Sequence, residues 1–153
     1  MGNGESSYNM KNIIQAVGVW FYSVSTGRYL YLMRDNTKHQ GMWSLPGGKI
    51  EAGETIFQAI ERECQEEMGG YPNTINLVPI EKFTTLDTKF TYHTFFCSVE
   101  NEFIPVLNEE HCGWAWIKSG QLPRPLHPGL WGTVQIEAVQ SKIKVLESNT
   151  VTL

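Results

Sequence analysis

The sequence lacks an excess of basic residues and lacks a long apolar run. It has 12 Lys and Arg residues against 16 Asp and Glu residues, and its formal charge is −4. A protein that binds nucleic acid polymers normally presents a basic face, so this charge balance argues against that class. No apolar run approaches the ~20 residues that a helix needs to cross a bilayer. The sequence therefore argues against a membrane-spanning protein as well.

Cysteine is scarce, and the three cysteines (Cys64, Cys97 and Cys112) form no C-x-x-C pair. The first residues show no charged stretch followed by an apolar core, so we expect no signal peptide, reduced thiols and a cytoplasmic location. The opening residues 1–6 fit the loose N-myristoylation pattern. A Gly- and Ser-rich tail is the simpler interpretation, because nothing nearby supplies a second membrane signal.

What the sequence does contain is the composition of one globular domain. Its 153 residues are 41% hydrophobic and 18% charged, which excludes a disordered chain and a fibrous repeat. We expect a flexible tail over residues 1–10 and a single domain over residues 11–153. Apolar patterning predicts strands mixed with two helices, and hence a single α/β or α+β domain. The predicted strands cover residues 13–22, 29–33, 76–86, 91–99 and 114–117, the predicted helices cover 55–68 and 133–146, and the Pro- and Gly-rich residues 120–132 form a predicted loop.

The first predicted helix carries acidic residues on its apolar side. Each residue advances about 100° around a helix, so with Glu63 at zero, Ile60 falls near 60° and Glu67 near 40°. Glu66 falls at about −60°, at the border of the same arc. Burying even one unpaired carboxylate costs several kcal/mol, and clustered like charges add repulsion. Basic neighbours, raised pKa values or a divalent cation can compensate, and carboxylates without nearby His or Cys suit Mg²⁺ or Mn²⁺. We favour a metal site over an ordinary solvated acidic face.

The loop before this helix is consistent with such a site. Gly47, Gly48 and Gly53 allow the backbone to approach an ion or a phosphate closely. The spacing is not that of a P-loop, because Ile50 stands where Ser or Thr is required. Glu54 lies just ahead of the helix, where the dipole favours an acid, and it can also reach Arg62.

These residues resemble the signature of the Nudix hydrolases. Gly48 is followed after five residues by Glu54, and after seven more by the run Arg62-Glu63-Cys64-Gln65-Glu66-Glu67-Met68-Gly69. Every charged and glycine position of that signature is filled. Two packing positions, Cys64 and Gly70, depart from the larger aliphatic residues that the family prefers.

The resemblance implies an α/β fold, an α/β/α sandwich with a central mixed β-sheet. It also implies metal-dependent hydrolysis of the pyrophosphate bond of a nucleoside diphosphate linked to another moiety, such as ADP-ribose, a dinucleoside polyphosphate or a nucleotide sugar. The alternatives are a nucleoside triphosphate pyrophosphohydrolase and a nucleotide-sensing module without catalysis. By the resemblance, Mg²⁺ or Mn²⁺ is bound by Glu63, Glu66 and Glu67 with a loop carbonyl near Gly48, while Arg62 and Glu54 orient these groups. The fold also allows for a homodimer.

Outside the signature, the candidates are weaker. Members of the family often use a further loop acid as metal ligand or general base, and Glu110 is our choice, whereas we expect His111 to be a loop or packing residue. Aromatic rings can stack on a nucleobase, and basic side chains can bind phosphates. For contact with a small nucleotide substrate we therefore select Arg34, Lys38, Phe90, Tyr92 and His127, with Trp131 as a further aromatic candidate.

Overall fold

The computed structural model describes residues 13–36, 38–70 and 76–151, so the predicted tail at residues 1–10 lies outside the described residues. These described residues form one mixed sheet of seven strands together with three helices. The strands are β1 (Ile14–Ser23), β2 (Arg28–Arg34), β3 (Trp43–Ser44), β4 (Gly47–Lys49), β5 (Leu77–Thr84), β6 (Phe90–Val99) and β7 (His111–Lys118), and the helices are α1 (Ile56–Met68), α2 (Pro128–Val134) and α3 (Glu137–Val151).

The sheet splits along one edge of β1. On its other edge, β1 pairs in parallel with β6 over its whole length, and β6 pairs in turn with β5. Along the splitting edge, β1 pairs with β2 only near its end and with β4 near its start. Strand β2 continues alongside β7 and also pairs with β3. The short strands β3 and β4 therefore fill the gap where β1 and β2 diverge, and they place the glycine loop there.

The two faces of the sheet are covered by different helices. Alternate side chains of β1 point to opposite faces, as a period of two requires. Val17, Val19 and Phe21 pack with Ala59 and Ile60 of α1. The intervening Trp20 and Tyr22 belong to a second core that includes side chains of α2 and α3. The molecule is thus a sandwich of helices around a mixed sheet, which confirms the predicted fold class.

Helix α1 forms where the sequence predicts it. The Thr55 side chain accepts a hydrogen bond from the Gln58 backbone N–H, and the Gln58 side chain accepts one from the Thr55 N–H, which completes a capping box. The helix ends at Gly69, whose φ of 74° lies in the left-handed region that glycine adopts without strain. Strong local signals at both ends explain why the prediction is accurate here.

The sequence prediction is wrong at the carboxyl-terminal end. The predicted loop over 120–132 contains the start of α2. The predicted helix over 133–146 covers the end of α2, a break at Gln135 and Ile136, and the part of α3 from Glu137 to Leu146, where the prediction is confirmed. Pro128 lies in the first turn of α2, where a backbone N–H has no acceptor within the helix, so the missing N–H of proline costs no hydrogen bond. The His127 side chain caps that turn. Pro and Gly therefore mark a helix start here, where we expected a loop.

No helix in the described ranges is long and apolar enough to span a membrane.

Candidate active site

Two carboxylates of α1 are buried on the face that packs against the sheet. Glu63 and Glu67 are 9% and 1% exposed, while Glu61 and Glu66 are exposed. This is the distribution that the helical rotation predicts. The buried pair lies one turn apart and next to β4, because Glu63 faces Gly48 and Glu67 bonds to Gly47.

Arg62 joins the loop to the helix. Its guanidinium donates to both carboxylate oxygens of Glu54, with Nε···Oε2 at 2.7 Å and Nη2···Oε1 at 2.9 Å. It also donates to Glu63 Oε1 at 2.7 Å and to the Lys49 carbonyl at 2.9 Å. The hydrogen bonds from Arg62 lower the pKa of Glu54 to about 2. The predicted contact between Glu54 and Arg62 is therefore present, and it fixes the register of the loop against α1.

Glu67 is the least compensated of these acids. Its Oε1 accepts a hydrogen bond of 3.2 Å from the Gly47 N–H, but its buried Oε2 has no hydrogen-bond partner. Burial, followed by the nearby Glu63 carboxylate, raises the pKa of Glu67 well above its usual range. A buried carboxylate oxygen without a donor is costly, and a bound cation would supply the missing partner.

His111 faces the unpaired oxygen of Glu67. Its Nδ1 lies 3.4 Å from Glu67 Oε2, is buried and has no hydrogen-bond partner of its own. Burial, followed by the positive charge of Arg34, lowers the pKa of His111 to about 4, so the ring is neutral at pH 7. Ligand atoms of Glu67, Glu110 and His111 all lie within 4.8 Å of one another. Carboxylate oxygens and a neutral imidazole are suitable metal ligands, and two unpartnered atoms facing each other fit a divalent ion between them.

Gly48 keeps the loop close to these acids. A Cβ added at this residue would lie 2.6 Å from the Glu63 Cδ atom, so a larger residue would displace the carboxylate. The unpartnered atoms, the close glycine contact and the chemistry of the donor set together show that the residues present fit a divalent metal ion.

The structure places Arg34 next to this cluster. Arg34 pairs with His111 across β2 and β7, and its charge lowers the pKa of His111, His127 and His39. Its side-chain partner is Asn36, and it forms no ion pair with any described carboxylate. Arg34 therefore has its charge available to a ligand.

The other selected residues surround the cluster at different positions. Lys38 is exposed, and the ring of its loop neighbour His39 contacts that of His127 edge-on, with centroids 4.3 Å apart. Phe90 and Tyr92 lie on β6 with nearly parallel rings 6.4 Å apart. Tyr92 is near enough to Glu67 and Arg34 for both charges to affect its pKa, although burial raises that pKa most. Trp131 is half-exposed on α2.

The position of His111 differs from the sequence prediction. We expected a loop or packing residue there, because the predicted strand starts at residue 114, whereas β7 starts at His111 itself. The pairing of His111 with Arg34 across the sheet brings the ring to Glu67. A signal was present in the adjacent Glu110, but pairing between distant strands decides which way the ring faces.

Comparison with known proteins identifies the family. A family model described as the NUDIX domain matches residues 13–135. The chain belongs to the Nudix family. Nudix hydrolases act on pyrophosphate bonds of nucleotide substrates and generally use divalent metal ions, and this chain is an enzyme of that family.

Individual Nudix relatives are distant. The nucleoside triphosphatase NudI of Escherichia coli O17:K52:H18 is 31% identical over 109 residues, which cover 63% of this chain and 77% of that protein. The crystal structure of the Nudix hydrolase RenU from M. Smegmatis matches with a TM-score of 0.66 and 22% identity, over 90% of this chain and 86% of that one. A MutT NUDIX hydrolase from Burkholderia pseudomallei matches with a TM-score of 0.62 and 22% identity, over 82% of this chain and 96% of that one. The two structures share the fold with this chain.

Proposed function

We propose that this Nudix protein hydrolyses a pyrophosphate bond within a small nucleotide, with Mg²⁺ or Mn²⁺ bound at the carboxylates of α1. The observation that carries the proposal is Glu67, a buried carboxylate whose Oε2 and the facing His111 Nδ1 both lack a hydrogen-bond partner. Nothing in the packing of α1 requires a charge at this position.

Each acid near the cluster has a proposed role. Glu63, Glu66, Glu67 and Glu110, with a carbonyl near Gly48, would hold the metal ions, and His111 is an additional donor within the same cluster. The ions would neutralise phosphate charge and lower the pKa of bound water. Arg62 holds Glu63 and Glu54 in position through three short hydrogen bonds, and a fourth fixes it to the Lys49 carbonyl.

The reaction needs a group that accepts the proton of the attacking water. Glu67 and Glu110 are the candidates, because both offer carboxylate oxygens to the same small cluster. Arg34 and Lys38 would bind the phosphates that remain anionic during the reaction, and Phe90, Tyr92 and His127 would contact the rest of the nucleotide.

Two substrate classes are supported by different observations. The resemblance in the signature led us to nucleoside diphosphate derivatives. The 31% identity with the E. coli nucleoside triphosphatase favours the alternative, a nucleoside triphosphate cleaved with release of pyrophosphate. A sensing module without catalysis is the weakest candidate, because Glu63, Glu66 and Glu67 are all retained.

The test is a hydrolysis panel with the purified protein. Nucleoside triphosphates, ADP-ribose, dinucleoside polyphosphates and nucleotide sugars are incubated with Mg²⁺ or Mn²⁺, and the products are separated by chromatography. We expect one class to be cleaved and Glu67→Gln to lower kcat at least about 100-fold, which is within the range for loss of a general base or metal-holding group. Glu61→Gln, an exposed carboxylate on the same helix, is the matched control and keeps full activity. Full activity in Glu67→Gln would refute the metal-site assignment.

A further inference from the structure

A row of paired residues leads across the sheet from the carboxylate cluster to Glu81. Gly47 pairs with Gly18, Gly18 with Thr94, and Thr94 with Glu81, on four successive strands. The Gly47 N–H donates to Glu67 at one end of this row. With strands about 4.8 Å apart, the Glu81 backbone is about 14 Å from that of Gly47, a separation of the size of a nucleotide.

The side chains of Thr94 and Glu81 lie on the face of the sheet that α2 and α3 partly cover, whereas α1 covers the opposite face. Tyr92 lies on the same face as Glu81 and is near enough to Glu67 for that charge to affect its pKa, which burial raises most. Two residues further along β1 and β6, Trp20 and Phe96 belong to the core beneath α3, and side chains two apart on a strand share a face. In the opposite direction that face is open, because Phe83 is 50% exposed. Phe83 pairs with Tyr92 across β5 and β6. An aromatic surface therefore lies directly beside Glu81.

The glycine in the row makes room for one of these rings. The Tyr92 hydroxyl occupies the place where a Gly18 side chain would stand, so a Cβ there would collide with it. Tyr92 thus lies between the carboxylate cluster and Glu81. Aromatic faces of this kind stack on nucleobases, and the stacking contributes about 1–3 kcal/mol per base.

Glu81 has hydrogen-bonding capacity that the fold does not use. Its Oε1 accepts a hydrogen bond of 2.8 Å from the Thr133 hydroxyl of α2. No Lys, Arg or His among the residues that the structure describes lies within ion-pair distance of it. The neighbouring Thr94 is 1% exposed, and its Oγ1 has no hydrogen-bond partner. Fixing α2 to the sheet needs a single acceptor, which an amide would also supply. Lys142 Nζ donates to the neighbouring Ile80 carbonyl at 3.0 Å and forms no ion pair with Glu81.

We propose that Glu81 accepts a hydrogen bond from an exocyclic amino group of the substrate's nucleobase, which Tyr92 and Phe83 contact through their rings. A carboxylate only accepts hydrogen bonds, and the amino groups of adenine, guanine and cytosine donate them. Uracil and thymine carry two carbonyl oxygens beside their single N–H, and these oxygens repel a carboxylate. The enzyme therefore prefers amino-bearing bases. This inference rests on the proposed function, because it places the phosphates at Glu67.

The experiment uses ligands that contain no pyrophosphate bond. Binding of CMP and UMP, and of AMP and IMP, is measured by calorimetry in the presence of Mg²⁺, since each pair differs by one amino group replaced with a carbonyl. We expect the amino-bearing member to bind about 10-fold more tightly to the wild-type protein, the lower part of the range for such a contact. Glu81→Gln reduces that ratio to one or below, because the amide can still accept from Thr133 but presents a donor to the base.

Two further variants separate recognition from a structural role. Thr133→Val removes the hydrogen bond to Glu81 but keeps the carboxylate, so the preference remains. Glu61→Gln serves as the control for loss of one charge, and it also keeps the preference for the amino-bearing base. An unchanged ratio in Glu81→Gln, no preference in the wild-type protein, or no binding of any nucleotide would each overturn the proposal. Failure of the hydrolysis panel alone would instead reject the proposed function, because binding of monophosphates does not depend on turnover.

Discussion

Glu67 shows, at the scale of one residue, that the proposed site lowers the stability of the folded chain. It is as buried as the apolar Ile60 and Cys64 on the same helix, yet it carries an oxygen without a partner. An apolar side chain of similar volume at such a position is often neutral or stabilising relative to a buried charge. Retention of the carboxylate is therefore an argument for a ligand, and the facing nitrogen of His111 indicates where that ligand lies.

Gly48→Ala tests whether the close contact between loop and helix matters for activity. The new Cβ would lie 2.6 Å from the Glu63 carboxylate carbon, so this side chain must move away from its 2.7 Å bond with Arg62. We expect kcat to fall at least about 10-fold, while the free energy of unfolding changes by no more than about 1 kcal/mol, because a flexible side chain can yield. Steady-state kinetics and urea denaturation measure the two quantities. Gly70→Ala has no atom of the described residues within 4 Å of its new Cβ and should behave as the wild type. Unchanged kcat in Gly48→Ala would contradict the role of Glu63.

Residues that share one helix could be predicted from the sequence, and residues on separate strands could not. The positions of Glu63, Glu66 and Glu67 follow from the rotation of 100° per residue, and the contact between Arg62 and Glu54 follows from loop length. The approach of His111 to Glu67 depends on the pairing of β2 with β7. Such pairing is not a local property, so the adjacent Glu110 could indicate a site near His111 but not the direction in which its ring faces.

At the scale of the elements, the short strands β3 and β4 determine where the site forms. Residues 43–49 contain Pro46 and two glycines, which local propensity assigns to a loop. They form strands because the diverging edges of β1 and β2 offer unpaired backbone groups. Tertiary context therefore decides the structure of this segment, and it holds Gly47 and Gly48 against α1.

Helix α2 makes stability depend on pH through its cap. His127 Nδ1 accepts a 3.1 Å hydrogen bond from the Gly129 N–H, and a protonated ring nitrogen cannot do so. Burial, followed by the positive charge of nearby groups, lowers the pKa of His127 to about 4 from an ordinary 6.5. The unfolded chain therefore binds a proton before the folded chain does, and the free energy of unfolding falls as the pH falls from about 6.5 to about 4.

His127→Asn isolates this contribution. Asparagine caps a helix without titrating, so at pH 7 we expect the variant to stay within about 1 kcal/mol of the wild type. Between pH 7 and pH 4.5 its urea midpoint should fall less than that of the wild type. His111, with a pKa of about 4, contributes to the fall in both proteins and cancels from the comparison. Parallel curves for the two proteins would show that the cap does not titrate in this range.

At the scale of the whole molecule, the split sheet brings distant segments to one place. The glycine loop, the acids of α1, the start of β7 and the open face of β5 and β6 all adjoin the row from Gly47 to Glu81. Strand order and register create this arrangement. The sequence could predict the fold class through the signature, but it could not place Glu81 beside Tyr92 and Phe83, because that depends on a register shift in β5 next to Glu81.

Thermal stability should report metal binding by the intact protein. An ion that binds the folded chain alone raises the free energy of unfolding by about 2.7 kcal/mol at 100 times its Kd. For a protein of this size that corresponds to a rise in Tm of about 5–10 °C. Calorimetry with EDTA and with increasing Mg²⁺ or Mn²⁺ measures this rise in the wild type, in Glu67→Gln and in the control Glu61→Gln.

The two carboxylate variants should respond differently to metal: Glu67→Gln changes its order relative to the wild type, and Glu61→Gln does not. With EDTA, Glu67→Gln should be at least as stable as the wild type, because an amide is cheaper to bury than an unpaired carboxylate. With saturating metal the order should reverse, since the variant has lost an oxygen that would hold the ion. Glu61→Gln should follow the wild type in both conditions, because Glu61 is exposed on the far side of α1. Equal metal-induced shifts in Glu67→Gln and wild type would mean that the ion binds elsewhere, and the buried charge of Glu67 would then need another explanation.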